Sequence, residues 1–215
     1  LIVFKQKKLI DQIALFCMGL GMLFLGLQFM KQSMDAMMIQ FDFSPYLSYP
    51  RFVFLLIGLI ITSIVQTSSA TVVVVLTALY AHVIPIETAI AVVLGAELGT
   101  TVKLILGAIG GNAAKKRVAL GNSLFNVFTS AAGFIFIEPI IQLITNTFLI
   151  KDPILVLVAF QTFINLAGVL LMYFFLNNYG NFLENQFKEN KKSVLQYLQN
   201  ASIEVPSTIT DMMSK

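Results

Sequence analysis

Long apolar runs alternate with short polar or basic stretches along the chain. Three of these runs, 13–30, 118–138 and 154–176, are typical of membrane-spanning helices, because about 20 apolar residues cross the ~30 Å hydrocarbon core. Two others, 52–81 and 86–109, are equally apolar but carry polar residues near their middle. The pattern predicts an all-α integral membrane protein, since Gly and other small residues inside the runs favour helices over barrel strands.

The run 52–81 is interrupted by the sequence QTSSA at 66–70, and no charged residue lies between Phe52 and Ala81. Polar side chains in such a run are expensive and indicate a ligand site at membrane depth. Two interpretations of the run are open, a single long tilted helix and a re-entrant helical hairpin with its tip at 66–70. Each half of the run reaches only about 20 Å, less than the hydrocarbon core requires.

The run 86–109 contains the sequence GAELGTT at 95–101, with two glycines, one acid and two threonines in mid-span. Such a combination is typical of discontinuous transmembrane helices in transporters. The sequence therefore predicts a broken transmembrane helix, with the break at 95–101.

Basic residues decide between the two interpretations of 52–81. Cytoplasmic loops are enriched in Lys and Arg, and the hairpin places all three basic clusters on one side of the membrane, whereas a single span separates them. The prediction is therefore a re-entrant hairpin in a multi-pass protein of the cell membrane, with a cytoplasmic N-terminus and C-terminal tail. The clusters are Lys5, Lys7 and Lys8; 115–117; and Lys188, Lys191 and Lys192.

Composition supports the membrane assignment and excludes other classes. The chain is 57% hydrophobic and 12% charged, with a mean hydropathy of +0.84, whereas soluble domains carry about 25% charged residues. The net charge of +3 follows from the loop clusters, so no nucleic-acid partner is expected. The single cysteine, Cys17, rules out an intramolecular disulfide. No His, Cys or carboxylate pair converges on 66–70, so we expect no enzyme and no cofactor.

The tip of a re-entrant hairpin offers two kinds of binding group. A half-helix that begins near Thr71 presents free N–H groups to an anion, and a half-helix that ends near Val65 presents free carbonyls to a cation. The amide of Gln66 and the hydroxyls of Thr67, Ser68 and Ser69 can serve either ligand. The simpler alternative for a lone Ser or Thr is a hydrogen bond to the carbonyl one turn back.

The motifs, in this order, resemble those of the sodium/phosphate cotransporter family, type II, as in bacterial members. QTSSA at 66–70 matches a QSSSA-type motif, and GAELGTT at 95–101 matches a GANIGTT-type motif. Phe125-Asn126 matches an FN pair, and 161–165 loosely matches an HTLFN-type element. The resemblance spans about residues 15–185.

The resemblance implies a secondary active symporter that couples sodium flow to phosphate movement, with sodium as the coupling ion. Its membrane domain would contain two inverted repeats, of which this chain carries one. We therefore expect a fragment, with a membrane transport repeat at 1–180 and a cytoplasmic helical tail at 181–215 that begins a PhoU-like region. The lipid bilayer and either a second inverted repeat or an oligomeric partner would complete the assembly.

The resulting site prediction combines both interrupted runs. Sodium is expected near Gln66, Thr67, Ser68 and Ser69. The primary substrate- and ion-binding candidates are Gln66, Thr67, Ser68, Ser69, Gly95, Glu97, Gly99, Thr100 and Thr101. The secondary candidates, for which helix–helix contact is an equal alternative, are Asn126, Gln161, Thr162 and Asn165.

Three positions depart from the family pattern. Thr67 adds a methyl group, Glu97 replaces the usual Asn, and Lys103 replaces a small polar residue. Because a lone buried carboxylate is costly, we expect Glu97 either to pair with Lys103 or to be protonated. Two alternative functions stay open, namely transport of another oxyanion and a non-transporting membrane sensor or scaffold that acts through its cytoplasmic tail.

Overall fold

The computed structural model describes residues 2–40 and 45–188, and all regular elements within these ranges are helical. The predicted all-α class is thereby confirmed. Short turns connect most of the helices, and a 3-10 turn at Tyr46–Ser48 precedes α2. The helices are α1 (Ile2–Gln40), α2 (Arg51–Val65), α3 (Ser68–Tyr80), α4 (Ile86–Ala108), α5 (Ala113–Ile135), α6 (Ile137–Thr147) and α7 (Pro153–Gln186).

Four helices of the described part are long and apolar enough to cross a membrane: the Ile10–Ser33 portion of α1, and α4, α5 and α7. This agrees with a multi-pass membrane protein. The helices extend beyond the apolar runs, because α1 continues to Gln40 and α7 to Gln186. The tail predicted at 181–215 therefore begins inside α7, and its remainder from 189 onward lies outside the described residues.

The run 52–81 is interrupted between α2 and α3. Gln66 has a left-handed backbone with φ 60°, and its N–H donates to the carbonyl of Thr62 at 2.7 Å, which ends α2. Thr67 is extended, and α3 begins at Ser68. The helices have 15 and 13 residues and reach about 22 and 20 Å. The predicted interruption at 66–70 is correct, with Ser68 as the first residue of the following helix.

A hydrogen bond between two threonines joins α2 to α3 behind the break. The hydroxyl oxygens of Thr62 and Thr71 are 2.8 Å apart. Both side chains are buried, with 0% and 3% of their surface exposed. The two hydroxyls satisfy each other in an apolar setting, where an unpaired hydroxyl would be costly. This pair, which we call the threonine clamp, fixes the two short helices to each other.

Helix α4 is continuous from Ile86 to Ala108, so the predicted break at 95–101 is wrong. Its glycines serve close packing against α2. A Cβ added to Gly95 would overlap the carbonyl oxygen of Leu55, and a Cβ added to Gly99 would lie 2.7 Å from the carbonyl oxygen of Leu59. Small residues at such positions let two membrane helices approach backbone to backbone.

The two threonines of the same stretch also fit an unbroken helix. The hydroxyl of Thr100 donates to the carbonyl of Glu97 at 2.6 Å, and that of Thr101 donates to the carbonyl of Leu98 at 2.7 Å. Each hydroxyl therefore returns to its own helix, the ordinary behaviour of Ser and Thr in membrane helices.

Helix α4 lies at the centre of the fold and packs against α2, α3, α5, α6 and α7. Along the α2–α4 contact, Leu55 lies beside Gly95 and Leu59 beside Gly99, so the two helices run in the same direction. Helix α3 consequently returns the chain from the far end of α2 to the level at which α4 begins. The apolar core includes Val75, Leu79, Ile90, Leu94, Ile137, Ile144 and Phe160.

Polar contacts join helices at the two ends of the bundle. At one end the guanidinium of Arg117, near the start of α5, donates twice to the carbonyl of Phe187, at 3.0 and 2.7 Å. The Tyr179 hydroxyl donates to the carbonyl of Gly121 at 2.5 Å nearby. Elsewhere Arg51 pairs with Glu138 at 2.8 Å and joins the starts of α2 and α6.

The glycine contact can be tested with Gly95→Ala against Gly107→Ala on the same helix. A Cβ at position 95 meets the α2 backbone, whereas position 107 has nothing within 4 Å. We expect Gly95→Ala to destabilise by about 1–3 kcal/mol and Gly107→Ala to be neutral or to stabilise by up to about 1 kcal/mol. Thermal unfolding of the complete protein in detergent measures both, and equal melting temperatures would contradict the contact.

The threonine clamp can be tested by a double-mutant cycle. Thr62→Val or Thr71→Val alone leaves one buried hydroxyl unpaired and is expected to cost about 1–3 kcal/mol. The double variant removes both hydroxyls together, so its cost should be smaller than the sum of the single costs. Melting temperatures of the four proteins give the coupling, and simple additivity would show that the two hydroxyls do not interact.

Candidate functional site

The break between α2 and α3 brings complementary backbone ends together. Thr67 precedes α3 without a side-chain cap, so the first N–H groups of α3 have no partner within the helix. The carbonyls of α2 after Thr62 likewise lack partners in their own helix. Helix dipoles add partial positive charge at the start of α3 and partial negative charge at the end of α2. The break therefore offers groups for an anion and for a cation within a few residues.

The side chains of the QTSSA stretch are accessible. Gln66, Thr67 and Ser69 are exposed, and Ser68 is half-buried. The threonine clamp holds the backbone from behind the break, so the four polar side chains are not needed to maintain it. They are thus available to a ligand or to another polypeptide. Neither clamp residue was among the predicted site residues, although Thr62 and Thr71 flank the motif on both sides and could have been noticed there.

A second polar cluster forms between α4 and α7. The Oε1 atom of Glu97 accepts hydrogen bonds from Nε2 of Gln161 and from Nδ2 of Asn165, the latter at 3.2 Å. Gln161 and Asn165, two of the secondary site candidates, thereby form hydrogen bonds with the primary candidate Glu97. The expected pairing of Glu97 with Lys103 does not form. Lys103 is exposed, and six positions along a helix place it on another face from Glu97.

The remaining candidates form no hydrogen bond with the side chains of either cluster. Thr162 is exposed, and its hydroxyl donates to the carbonyl of Val158 at 2.8 Å. Asn126 is half-buried, and its backbone carbonyl accepts a bond from the hydroxyl of Thr129 at 3.2 Å. Thr100 is bonded to its own helix, as described above. These residues contribute to helix structure in this arrangement.

Helix α4 separates the two polar groups. Gly99 faces α2, close to the clamp residue Thr62. Glu97 lies two positions earlier, about 200° around the helix, and contacts α7. Glu97 and the break therefore lie on different sides of α4, although their sequence positions suggested one combined site.

A fully buried serine ties α5 to α4 near the Glu97 cluster. The Ser130 hydroxyl donates to the carbonyl of Leu94 at 3.2 Å, and 0% of Ser130 is exposed. Gly133, one turn further, lies against the side chains of Leu94 and Ile164. Sequence reasoning did not select Ser130, because a single serine in an apolar helix carries no distinctive signal.

Comparison with known proteins identifies relatives of the chain. The Na+/Pi-cotransporter family model matches residues 46–183. A Salmonella typhimurium protein named "Putative inorganic phosphate export protein YjbB" is 31% identical over 158 residues, 72% of this chain and 28% of that protein. Its Escherichia coli namesake is 29% identical over 177 residues, 80% of this chain and 32% of that protein.

Bacillus subtilis "Uncharacterized protein YqeW" is 31% identical over 90 residues, 38% of this chain and 29% of that protein. The chain thus spans about a third or less of the length of these relatives. No solved structure matches it. The matched segment 46–183 contains the QTSSA and GAELGTT stretches, helices α2 to α6 and α7 up to residue 183. The chain belongs to the Na+/Pi-cotransporter family.

Proposed function

We propose that this chain forms one repeat of a sodium-coupled phosphate transporter, with the break between α2 and α3 as half of the ligand site. The observation that carries the proposal is the helix break at Gln66 and Thr67, which exposes helix ends of opposite polarity inside an apolar segment. Membership in the Na+/Pi-cotransporter family favours phosphate and sodium as the two ligands. Half-helices that meet at membrane depth bind substrates and coupling ions in secondary transporters.

In this proposal α2 and α3 form a re-entrant hairpin. Each helix, at about 22 and 20 Å, is too short for the ~30 Å hydrocarbon core, and α3 returns the chain towards the side from which α2 enters. The contact between Arg117 and Phe187 supports the associated topology, because it places the basic residues 115–117 at the start of α5 beside the end of α7. Both then face the cytoplasm, in accord with the preference for basic loops there.

The proposed ligand contacts follow from the polarity of the helix ends. Phosphate would accept hydrogen bonds from the first N–H groups of α3 and from the hydroxyls of Ser68 and Ser69. Sodium would be held by oxygen ligands, the terminal carbonyls of α2 and the amide oxygen of Gln66, since hard cations prefer such atoms. A second inverted repeat, or a second copy of this one, would supply the other half of the site.

The direction of phosphate movement is a separate question. A sodium gradient directed into the cell would drive inward cotransport, which is the first candidate. The names of the Salmonella and Escherichia relatives refer to phosphate export, which makes export the second candidate. Both functions use the same site, so they differ in the gradient that drives transport and not in the residues that bind phosphate.

The site is tested by Ser68→Ala combined with Ser69→Ala in the complete protein, with Ser63→Ala as the matched control. The Ser63 hydroxyl donates to the carbonyl of Leu59 at 2.7 Å, so it is already satisfied. Loss of hydrogen bonds to a charged ligand costs about 1.5–3 kcal/mol each, so we expect at least about a tenfold drop in phosphate flux for the double variant. The control should transport normally.

Flux of labelled phosphate in reconstituted vesicles provides the measurement. Inward and outward sodium gradients distinguish uptake from export, and a potassium gradient shows whether sodium is required. Phosphate flux that is equal in sodium and potassium would exclude sodium coupling. Flux that is unchanged in the Ser68 and Ser69 double variant would exclude the proposed site.

A further inference from the structure

The contact between α4 and α7 contains two buried polar atoms without a partner. In the described part of the chain, the buried side-chain atoms that lack any hydrogen bond are Oε2 of Glu97 and Oε1 of Gln161. They belong to two side chains that already bond to each other through Gln161 Nε2 and Glu97 Oε1. Buried polar atoms in native proteins are almost always paired, so two unpaired atoms in one contact call for a chemical explanation.

An ionised Glu97 does not account for this arrangement. A carboxylate only accepts hydrogen bonds, and both available donors, from Gln161 and Asn165, are directed to its Oε1 atom. Its Oε2 atom and the amide oxygen of Gln161 are both acceptors, so neither can satisfy the other. A negative charge in this place would also lie within the apolar centre of the bundle, where it needs a positive partner.

Within the described residues, no Lys, Arg or His side chain forms an ion pair with Glu97. Lys103 on the same helix is exposed on another face. In the part of the chain that the structure describes, the helices that pack against α4 carry charged or titratable side chains only near their ends or in the second half of α7. None of these side chains forms a hydrogen bond with Glu97. They are Arg51, Tyr80, Lys115, Lys116, Arg117, Glu138, Asp152, Tyr173, Tyr179 and Glu184.

We propose that Glu97 is a proton-binding site, in which its carboxyl group carries a proton on Oε2 and donates it to Oε1 of Gln161. The two side chains then form a reciprocal acid–amide pair, with one N–H donor and one O–H donor. A single proton satisfies both unpaired oxygens and removes the buried negative charge. The site is a feature of α4 and α7 and lies apart from the break between α2 and α3.

Release of this proton changes the contact between two membrane helices. Without the proton, Glu97 is negatively charged, and its Oε2 atom faces the amide oxygen of Gln161 with no donor between them. The contact between α4 and α7 is then weaker. Alkaline pH therefore weakens the contact and acid pH maintains it. The consequence for transport rests on the proposed function, because alternating access requires helices to move against one another. Transport should then depend on pH through Glu97.

Infrared difference spectroscopy of the complete protein in lipid vesicles tests the proton site without requiring transport. We expect a protonated carboxylic acid C=O band at neutral pH that is lost on alkalinisation and is absent in Glu97→Gln. Glu184→Gln, at an exposed position on α7, should retain the band. A carboxylate signal from Glu97 at neutral pH would overturn the proposal. Loss of the acid band when sodium is added at constant pH would overturn it as well, in favour of a sodium ion.

Gln161→Met provides a second variant that keeps Glu97. It removes the proposed acceptor of the proton, so the acid band should shift in frequency and should disappear at a different pH. A band unchanged in both respects would show that the proton does not lie between these two side chains. This outcome would be independent of whether the protein transports phosphate.

Phosphate flux then links the proton to transport. Flux through the wild-type protein should change across the midpoint of the acid band, whereas flux through Glu97→Gln should stay constant over that range. A wild-type pH profile that Glu97→Gln reproduces would overturn the link. Absence of phosphate flux at all pH values, with the acid band present, would refute the proposed function and leave the proton site intact.

Discussion

The backbones of α2 and α4 touch directly, and the positions of the polar groups depend on this contact. Gly58 on α2 lies against the backbone of Val92, while Gly95 and Gly99 on α4 lie against the backbone of α2. Because these backbone contacts are so close, α2 cannot slide along the axis of α4 by even part of a helical turn without a clash. The end of α2, and with it the break at Gln66, is therefore held at the level just beyond Gly99.

Helix α4 consequently has two different sides. The side with glycines accommodates α2 and supports the break, whereas the side with Glu97 contacts α7 through polar hydrogen bonds. The first contact depends on shape and tolerates no added atom. The second depends on hydrogen-bond donors and acceptors and on the charge of one carboxyl group.

The sequence allowed the break between α2 and α3 to be located, because polar residues at 66–70 interrupt an apolar run whose halves are each too short to span. It did not allow the continuity of α4 to be predicted. Two glycines and two threonines can mark either a broken helix or a helix that packs closely against another. Which of the two forms depends on contact with α2, about forty residues earlier in the chain. The partners of Glu97 were undecided for the same reason, since Gln161 and Asn165 meet it only in the folded bundle.

Gln66 adopts a left-handed backbone with φ 60°, a conformation that costs a residue with a side chain about 1–2 kcal/mol and costs glycine almost nothing. Glycine at the tip of the break would therefore make the fold more stable than Gln66 does. Gln66 instead provides a carboxamide group there. At the proposed ligand site, backbone stability and ligand chemistry therefore favour different residues. Glycine at position 66 would suit the backbone better, and the proposed contact of the Gln66 amide with sodium would give the carboxamide a use that offsets this cost.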